Sequence, residues 1–516
     1  MRRRPPGTAI VAAATLAMML GACGVDSGVI ATRADQLPPV SAPPTTDEPV
    51  TTTEPDETAP DETAPSTTGP VVSGDIELAD VADIGDGKEP RDYDDTVAAA
   101  LVDLEEWWTE TYPQLYGDAF TPLTGDVYPT YPGRDDVPDC GGTPTDYPAV
   151  NEYAAFYCAL DDFIVYDDGD SSLLGELAER YGPATMGVVI AHEYGHLIQQ
   201  RNGSINEELA TIYTEQQADC WAGAWVGRAW RGESPVLQLD DDDVRGGLIA
   251  MVTVRDPVGL SQFAEGGHGS AFDRVGAFQV GFSEGPARCA ELLDDPLTIL
   301  PNQFQTVDEA LNDGDAPFGF ADGDIGPLIA GALQRYWTFE LGQLGQTFPG
   351  LRLAPVDDLG QVDCSGSVSP ALPGLLICDS DRTVYVDQAV ARALYDDPIE
   401  GNADFAVAYL VATGWADAVQ TQLGSVLTGE ERALANDCLV GAFTRDLDPN
   451  RPARPDEPEN RGFISPGDLD EAVITAITIG DARFDDDVLG SGYEKIASFR
   501  DGVLAGVDTC IDRLGG

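Results

Sequence analysis

Apolar residues recur at helical spacing in several stretches of the chain. Val97, Leu101, Leu104 and Trp108 lie three or four positions apart, which predicts an amphipathic helix. Residues 163–166, which follow a cysteine closely, are rich in aromatic and β-branched side chains and predict a short strand. Helical stretches outnumber strand-like ones, so the predicted fold class is α+β with helix dominant.

The apolar run that contains VVIAHEYGHLIQQ, at residues 188–200, has clear helix boundaries. A proline stands at its start, and polar residues followed by Asn202-Gly203 stand at its end, which predicts a helix from about Pro183 to Gln200. His192 and His196 are one turn apart on one face of this helix, so their two imidazoles can share a metal ion. The run therefore combines an ordinary buried helix with a candidate metal site.

A catalytic zinc ion needs three protein ligands and an open position, so a third ligand has to come from elsewhere. The next helical stretch, Glu207 to Trp230, carries Glu215 and Asp219 one turn apart. Glu215 is the candidate third ligand. Asp219 is the candidate acceptor for the N–H of a ligand imidazole, which would fix the tautomer of that histidine.

A His-Glu-x-x-His helix followed by a Glu-x-x-x-Asp helix is the arrangement of the gluzincin metallopeptidases. The segments IAHEYGHLIQQ, EQQADCWAGAW and HGSAFDRVGAFQVGF resemble the bacterial neutral zinc metallopeptidase family, over most of residues 92–289. The resemblance implies a zincin-like domain that binds one Zn²⁺ and hydrolyses peptides. It implies that His192, His196 and Glu215 bind the metal, that Glu193 is the general base, and that Asp219 orients a ligand.

His268 is the third and last histidine of the chain. The resemblance implies that it donates a hydrogen bond to the oxyanion that forms during peptide hydrolysis. The alternative is a histidine that stabilises the loop around Gly266–Gly269. Tyr157 is a second candidate oxyanion donor, and its alternative is a place in the core.

The chain repeats itself with an offset of about 220 residues. QADCWAGA at 217–224 matches ANDCLVGA at 435–442, and GSAFDRVGAFQVGF at 269–282 matches GSGYEKIASFRDGV at 490–503. We therefore predict two homologous zincin-like domains, at residues 76–300 and 318–516.

The second copy lacks the chemistry of the first. When the copies are aligned on a shared glycine, HEYGH falls on Val411–Trp415, Glu215 falls on Ala433 and His268 falls on Leu489, while Asp219 persists as Asp437. We expect a degenerate repeat without metal. Its expected roles are binding a substrate or partner, covering the cleft of the first domain, or packing against it.

Eight cysteines beyond position 23 fall into two corresponding sets of four, which suggests disulfides within each half and an oxidising compartment. The expected pairs are Cys140–Cys158, Cys220–Cys289, Cys364–Cys378 and Cys438–Cys510.

The start of the chain predicts export and a lipid anchor. Three arginines precede an apolar stretch that ends in Leu20-Gly21-Ala22-Cys23, which resembles a bacterial lipobox with Cys23 as the lipidated residue. Residues 1–23 are thus a predicted signal peptide. Residues 24–75, rich in Thr, Pro, Asp and Glu, are a predicted disordered tether that holds the folded part at the outer face of the bacterial cytoplasmic membrane.

Ninety acidic residues stand against 28 basic ones, which gives a formal charge of −62. Such a surface repels nucleic acid and anionic lipid, so functions that depend on binding phosphate backbones are disfavoured. The run Asp240–Asp243 fits a solvated loop or helix start better than a metal site.

Together these features predict a membrane-anchored, extracytoplasmic zinc metalloendopeptidase in which Glu193 assists the attack of a zinc-bound water on a peptide bond. Its expected partner is a peptide or protein substrate, paired to the strand near residues 163–166. The alternative is a non-catalytic surface lipoprotein, a binding or scaffold module that retains only a structural zinc site. Glu193 favours the enzyme, because a structural site does not need a base.

Overall fold

The structure is a computed structural model of the 516-residue chain. It describes residues 69–151, 153–205, 209–264, 266–304, 325–364, 368–369, 372–396, 403–458, 462–480 and 490–514. The predicted signal peptide, its lipidation site Cys23 and most of the predicted tether lie outside the described residues, as does Leu489.

The first half of the chain contains eight helices and five strands among its described residues. The helices are α1 (Asp94–Tyr116), α2 (Tyr147–Val150), α3 (Leu173–Tyr181), α4 (Ala184–Asn202), α5 (Thr211–Trp230), α6 (Asp241–Thr253), α7 (Ala271–Glu284) and α8 (Pro286–Glu291). The strands are β1 (Val71–Val72), β2 (Val127–Thr130), β3 (Ala155–Cys158), β4 (Phe163–Asp167) and β5 (Leu237–Gln238).

The described residues of the second half follow nearly the same order. The helices are α9 (Ile325–Gln343), α10 (Gln388–Tyr395), α11 (Asp404–Leu423), α12 (Gly429–Leu447), α13 (Asp468–Ile479), α14 (Gly492–Ala505) and α15 (Val507–Leu514). The strands are β6 (Arg352–Val356), β7 (Val368–Ser369), β8 (Leu375–Cys378) and β9 (Thr383–Asp387).

The predicted fold class is confirmed. Helices hold 54% of the described residues and strands only 9%, so the fold is α+β with helix dominant. The small sheets are built alike in the two halves: β4 lies between parallel β2 and antiparallel β3, and β9 lies between parallel β6 and antiparallel β8. The exact division of the chain into domains stays a prediction.

The four expected disulfides are all present, and each lies within one half. Cys140–Cys158 and Cys364–Cys378 close short loops beside the sheets, while Cys220–Cys289 and Cys438–Cys510 join α5 to α8 and α12 to α15. The corresponding spacing of the cysteines was thus a reliable guide to their partners.

The two halves pack against each other through corresponding helices. α6 and α7 of the first half contact α13 and α14 of the second. Gln279 Nε2 on α7 donates to the Tyr493 carbonyl at 2.8 Å, and Arg500 on α14 donates to the Phe272 carbonyl. Because Gln279 corresponds to Arg500 and Phe272 to Tyr493, these two contacts are related as in a two-fold symmetric dimer.

Three expectations about the first half need correction. Strand β1 pairs with β5, so the folded part begins before residue 76 and the predicted tether ends earlier than expected. β4 is the central strand of its sheet, between β2 and β3, so the strand that was expected to pair with a peptide has no free edge. Of the Asp240–Asp243 run, Asp243 is buried and closes a capping box with Asp240 at the start of α6.

In the part of the chain that the structure describes, every helix is too short or too polar to cross a membrane.

Candidate metal centre

The helix that carries the two histidines lies at the centre of the first half. All residues of α4 from Ala184 to Gln199 are buried, as expected for a helix covered on every side. It contacts α1, α5, α6 and the strand β3. A side chain at Gly195 would overlap Ala218, so this glycine lets α5 approach closely enough to place its acidic residues beside the histidines.

His192, His196 and Glu215 come together as the sequence predicts, in a group whose ligand atoms lie within 4.8 Å of one another. The two Nε2 atoms are 3.2 Å apart. The Glu215 carboxylate places Oε2 3.2 Å from His192 Nε2 and Oε1 3.5 Å from His196 Nε2. These buried residues are positioned to hold a metal ion.

The spacing suits metal coordination better than hydrogen bonding. Neither Glu215 oxygen has a hydrogen-bond partner of acceptable geometry among the described residues, although both lie near imidazole nitrogens. Metal–ligand bonds of about 2.0–2.1 Å at tetrahedral angles would separate ligand atoms by about 3.3 Å. The three observed distances lie close to that value, although the two that involve Glu215 end on different oxygens, so two imidazole nitrogens and one carboxylate are spaced to share a metal ion.

Asp219 binds the ring nitrogen of His192 that faces away from the candidate metal position. His192 Nδ1 donates to Asp219 Oδ1 at 2.7 Å, which leaves the Nε2 lone pair directed at the metal position. Arg274 on α7 donates to both oxygens of the same carboxylate, at 2.7 and 2.9 Å. Burial alone would raise the pKa of Asp219, but the charges of Arg274 and His192 lower it below its usual value.

Gln199 orients His196 as Asp219 orients His192, and the sequence analysis did not predict this role of Gln199. Its Nε2 donates to the Thr214 carbonyl at 2.7 Å, so its Oε1 is the acceptor that faces His196 Nδ1 at 2.9 Å. His196 therefore carries its proton on Nδ1 and presents the Nε2 lone pair to the metal. The available signal was the position of Gln199 one turn after His196 on the same helix.

Burial and the neighbouring charges shift the pKa values of the candidate ligands in opposite directions. Burial lowers the pKa of His192, but the Asp219 carboxylate outweighs it and raises the pKa to about 10, so a bound metal ion would have to displace the proton on Nε2. Burial raises the pKa of Glu215, but the neighbouring imidazoles, His196 first, bring it well below its usual value. The carboxylate of Glu215 is therefore ready to bind a cation.

Glu193 lies beside the ligands without joining them. Its Oε2 accepts the backbone N–H of Tyr157 on β3 at 2.8 Å, and its Oε1 is buried with no hydrogen-bond partner among the described residues. Burial raises the pKa of this carboxyl. One oxygen is thus anchored to the sheet, and the other is available for a proton.

His268 lies near the three candidate ligands and is held in place by Asp256. Asp256 Oδ2 accepts the backbone N–H groups of His268 and Gly269, and Asp256 Oδ1 faces His268 Nδ1 at 3.2 Å. His268 Nε2 is buried and has no partner among the described residues. The imidazole is near enough for its charge to lower the pKa of Glu215, so His268 belongs to the same electrostatic environment.

Tyr157 and the expected peptide-pairing strand turn out differently. The Tyr157 hydroxyl donates to Asp162 Oδ1 at 2.7 Å and is fully buried, so its side chain belongs to the core, and only its backbone serves the site through Glu193. β4 already has a strand on each side, so a peptide cannot pair with it. The edge strand beside α4 is β3.

Contacts in the second half show that the alignment on the shared glycine is wrong by two residues. Gln420 Nε2 donates to the Arg432 carbonyl at 2.8 Å and to Asn436 Oδ1 at 2.7 Å. Gln199 makes the same pair of contacts with Thr214 and Gln217, so Gln420 corresponds to Gln199.

With this alignment, the positions of His192, Glu193 and His196 are taken by Thr413, Gly414 and Asp417 rather than by residues 411, 412 and 415. Asp417 is paired with Arg432 at 2.5 Å. The ion pair between Lys495 and Asp437, at 2.8 Å, repeats the pair between Arg274 and Asp219. The second half thus keeps the supporting ion pair, whereas its sequence contains no histidine at all.

The chain is similar to proteins that are themselves named as uncharacterized. It is 33% identical over 159 residues to Rv2575 of Mycobacterium tuberculosis, which covers 27% of this chain and 54% of that protein. It is 32% identical over 162 residues to YpfJ of Escherichia coli K12, covering 26% of this chain and 52% of that protein. The chain thus spans about half the length of these curated relatives. No family model and no solved structure matches the chain.

Proposed function

We propose that the first half is a zinc-dependent metallopeptidase of the gluzincin type, similar to the bacterial neutral zinc metallopeptidase family. The observation that carries the proposal is the triangle of His192 Nε2, His196 Nε2 and the Glu215 carboxylate, with edges of 3.2, 3.2 and 3.5 Å. Two imidazoles, one carboxylate and an open fourth position form a donor set of catalytic zinc sites.

Zinc in this site would polarise a peptide carbonyl and lower the pKa of water. The residues of the chain supply the rest of the chemistry. Glu193 is held by the Tyr157 N–H, so its second oxygen is free to take the proton from the attacking water and to pass it to the departing amine. The raised pKa of this buried carboxyl suits a group that both accepts and returns a proton.

His268 is suited to stabilise the oxyanion. The Asp256 carboxylate holds the backbone of His268 and faces Nδ1 of its ring, and Nε2 is a hydrogen-bond donor when it carries a proton. That proton has no acceptor among the described residues, so it is available to an oxygen that becomes negative during the reaction. The free edge of β3, beside Glu193, is the place where an extended peptide would pair.

The location proposed for this activity is the outer face of the cytoplasmic membrane, where Cys23 would carry the lipid. Four disulfides support an oxidising compartment. The substrate class is peptide or protein, with no role for nucleic acid because of the charge of −62.

The second candidate function is a non-catalytic module with a structural zinc site. One observation favours it: His192 is 3% exposed, His268 is 2% exposed, and Glu193 and His196 are not exposed at all. A peptide reaches this centre only if the surrounding segments move apart. Under this alternative, Glu193 serves the packing of β3 against α4.

The test is Glu193→Gln in the full chain, compared with wild type for bound zinc and for hydrolysis of casein. We expect one zinc per chain in both proteins and hydrolysis by the wild type alone. Glu340→Gln, at a buried carboxylate of the second half that pairs with Arg454, is the matched control and should retain hydrolysis. One zinc per chain with no hydrolysis by any of the proteins would favour the structural site, and no zinc at all would overturn both candidates.

A further inference from the structure

Asp470 belongs to the second half but is enclosed by the first. It lies in the first turn of α13 and is fully buried. Its Oδ1 accepts the backbone N–H of Phe272 at 3.1 Å, and its Oδ2 lies 3.3 Å from Arg255 Nε and 3.4 Å from Asn302 Nδ2. Arg255 and Phe272 belong to the first predicted domain, and Asn302 follows directly after it.

The contact between Asp470 and Arg255 connects the second half to the segment that holds His268. Arg255 immediately precedes Asp256, the carboxylate that binds the backbone and faces the ring of His268. The Arg255 guanidinium forms an ion pair with Asp470, so the start of the His268 loop is attached to the second half. A shift of this attachment would move Asp256 and, with it, the His268 imidazole.

The contact between Asp470 and Phe272 connects the second half to the helix that supports His192. Phe272 lies in the first turn of α7, where the positive end of the helix dipole favours a carboxylate. Two residues later, Arg274 binds both oxygens of Asp219, which accepts the His192 Nδ1 proton. Asp470 therefore fixes the start of the helix that orients a metal-binding histidine.

The Asn302 contact connects both paths. Asn302 Oδ1 accepts the backbone N–H of Gly467 at 2.7 Å, and the Asn302 N–H donates to Gln262 Oε1 at 3.1 Å. Gln262 in turn donates to Asp273 on α7. The segment before His268 and the start of α7 are thus joined to each other and to the start of α13.

Asp470 is not the residue that closes the start of its own helix. Two residues earlier, the Asp468 carboxylate accepts the Ser465 N–H at 2.8 Å and the Ser465 hydroxyl at 2.6 Å. Asp243 makes the similar contact at the start of α6, where it accepts the N–H of Asp240 at 3.0 Å. The contacts of Asp470 with the first half are therefore separate from the capping of α13.

We propose that Asp470 is a positioning residue through which the second half holds His268 and Arg274 in place around the candidate metal centre. This assigns the second half a function: it is a permanent internal partner of the first, and it completes the support of the site. The proposal rests on the proposed metal site but not on peptide hydrolysis.

The test uses the full chain with Asp470→Asn and Asp470→Ala. The matched control is Asp437→Asn, which removes an equally buried carboxylate of the second half that accepts hydrogen bonds from Lys495 and Tyr409 of the same half. Three quantities are measured: the midpoint of thermal unfolding, the Kd for Zn²⁺, and the imidazole ¹H–¹⁵N spectrum. The spectrum is simple because the chain has three histidines.

We expect the Asp470 variants to shift the His268 and His192 signals and to weaken zinc binding by about tenfold or more, the usual effect of losing support behind a metal ligand. Asp437→Asn should lower the unfolding midpoint without either change. Unchanged signals and Kd in Asp470→Asn, or equal changes in Asp437→Asn, would overturn the proposal. If the wild type binds no zinc, the proposed function fails, and the histidine signals of the metal-free protein still decide the role of Asp470.

Discussion

Each metal-facing imidazole is held by a different kind of acceptor. His192 donates to a carboxylate that is itself neutralised by Arg274, whereas His196 donates to the neutral amide of Gln199. A carboxylate makes its histidine a more basic ligand, while an amide fixes only the tautomer and the ring orientation. The two histidines are therefore expected to contribute unequally to metal affinity.

Gln199→Ala tests the amide. Without its oxygen, His196 has no fixed tautomer and its Nδ1 loses its acceptor, so we expect zinc binding to weaken by about 10- to 100-fold. The Kd is measured by competition with a chromophoric chelator. Gln420→Ala is the matched control, because Gln420 makes the same backbone contact in the half without histidines. A loss of affinity in the control as large as in Gln199→Ala would show that packing, not the tautomer, is responsible.

The burial of Asp243 has a consequence for stability against pH. Burial, only partly offset by the hydrogen bond from the Asp240 N–H, raises its pKa from 3.8 to about 7 in the folded chain. The folded state therefore binds a proton that the unfolded state has released between about pH 4 and 7. The stability due to this group is complete below pH 4 and is lost as the pH rises through 7.

We expect Asp243→Asn to remove this dependence, and to unfold with a free energy higher than wild type by on the order of 2–4 kcal/mol at pH 8 but not at pH 4. Urea unfolding at the two pH values measures the difference. Asp241→Asn changes an exposed carboxylate of the same helix turn and should follow the wild type. Parallel pH curves for wild type and Asp243→Asn would contradict the expectation.

At the scale of elements, the sequence predicted what depends on local pattern. The bounds of α4 and the meeting of Glu215 with the histidines follow from spacing along one or two helices, and the pairing of the cysteines follows from their corresponding places in the two copies. Asp256 and Asp470 could not be predicted, because they reach the site from a loop and from the other half, where no periodicity connects them to it. The alignment of α11 with α4 was wrong by two residues because it relied on a glycine that both sequences contain. The contacts of Gln420 show instead that this residue occupies the position of Gln199.

The closest approach of two helices near the site depends on glycine. A Cβ on Gly281 of α7 would overlap the carbonyl of Cys220 on α5, and a Cβ on Gly502 of α14 would overlap that of Cys438 on α12. Neither backbone oxygen can move away without displacing its helix. The first of these crossings also sets the distance between Arg274 and Asp219.

Gly281→Ala should therefore lower the free energy of unfolding by about 1–3 kcal/mol, as other overpacked cores show, and should also weaken zinc binding. Gly502→Ala should be destabilising to a similar degree and leave the Kd for zinc unchanged, because the candidate ligands His192, His196 and Glu215 lie on α4 and α5 rather than on α12 or α14. Denaturant unfolding and zinc titration of both variants test this. Equal zinc affinity in the two variants would show that the crossing does not control the site.

At the scale of the whole molecule, one architecture serves two purposes. Both halves bury an ion pair between corresponding helices, Arg274 with Asp219 and Lys495 with Asp437. In the first half this pair supports a histidine that is positioned to hold a metal ion, while in the second it faces the hydroxyl of Tyr409. The second half thus shares the packing of the first half without its histidines.

The internal interface predicts the behaviour of the first half alone. A fragment of residues 69–304 would expose the faces of α6 and α7 that α13 and α14 cover, including the Phe272 ring beneath Arg500. Since the interface joins corresponding helices, a second copy of the fragment offers a similar surface, and self-association buries the exposed apolar area. Sedimentation velocity should therefore show a dimer or larger species, with zinc binding weaker than in the full chain because Asp470 is absent. A monomeric fragment with the full chain's Kd for zinc would mean that the second half neither covers an adhesive face nor supports the metal centre.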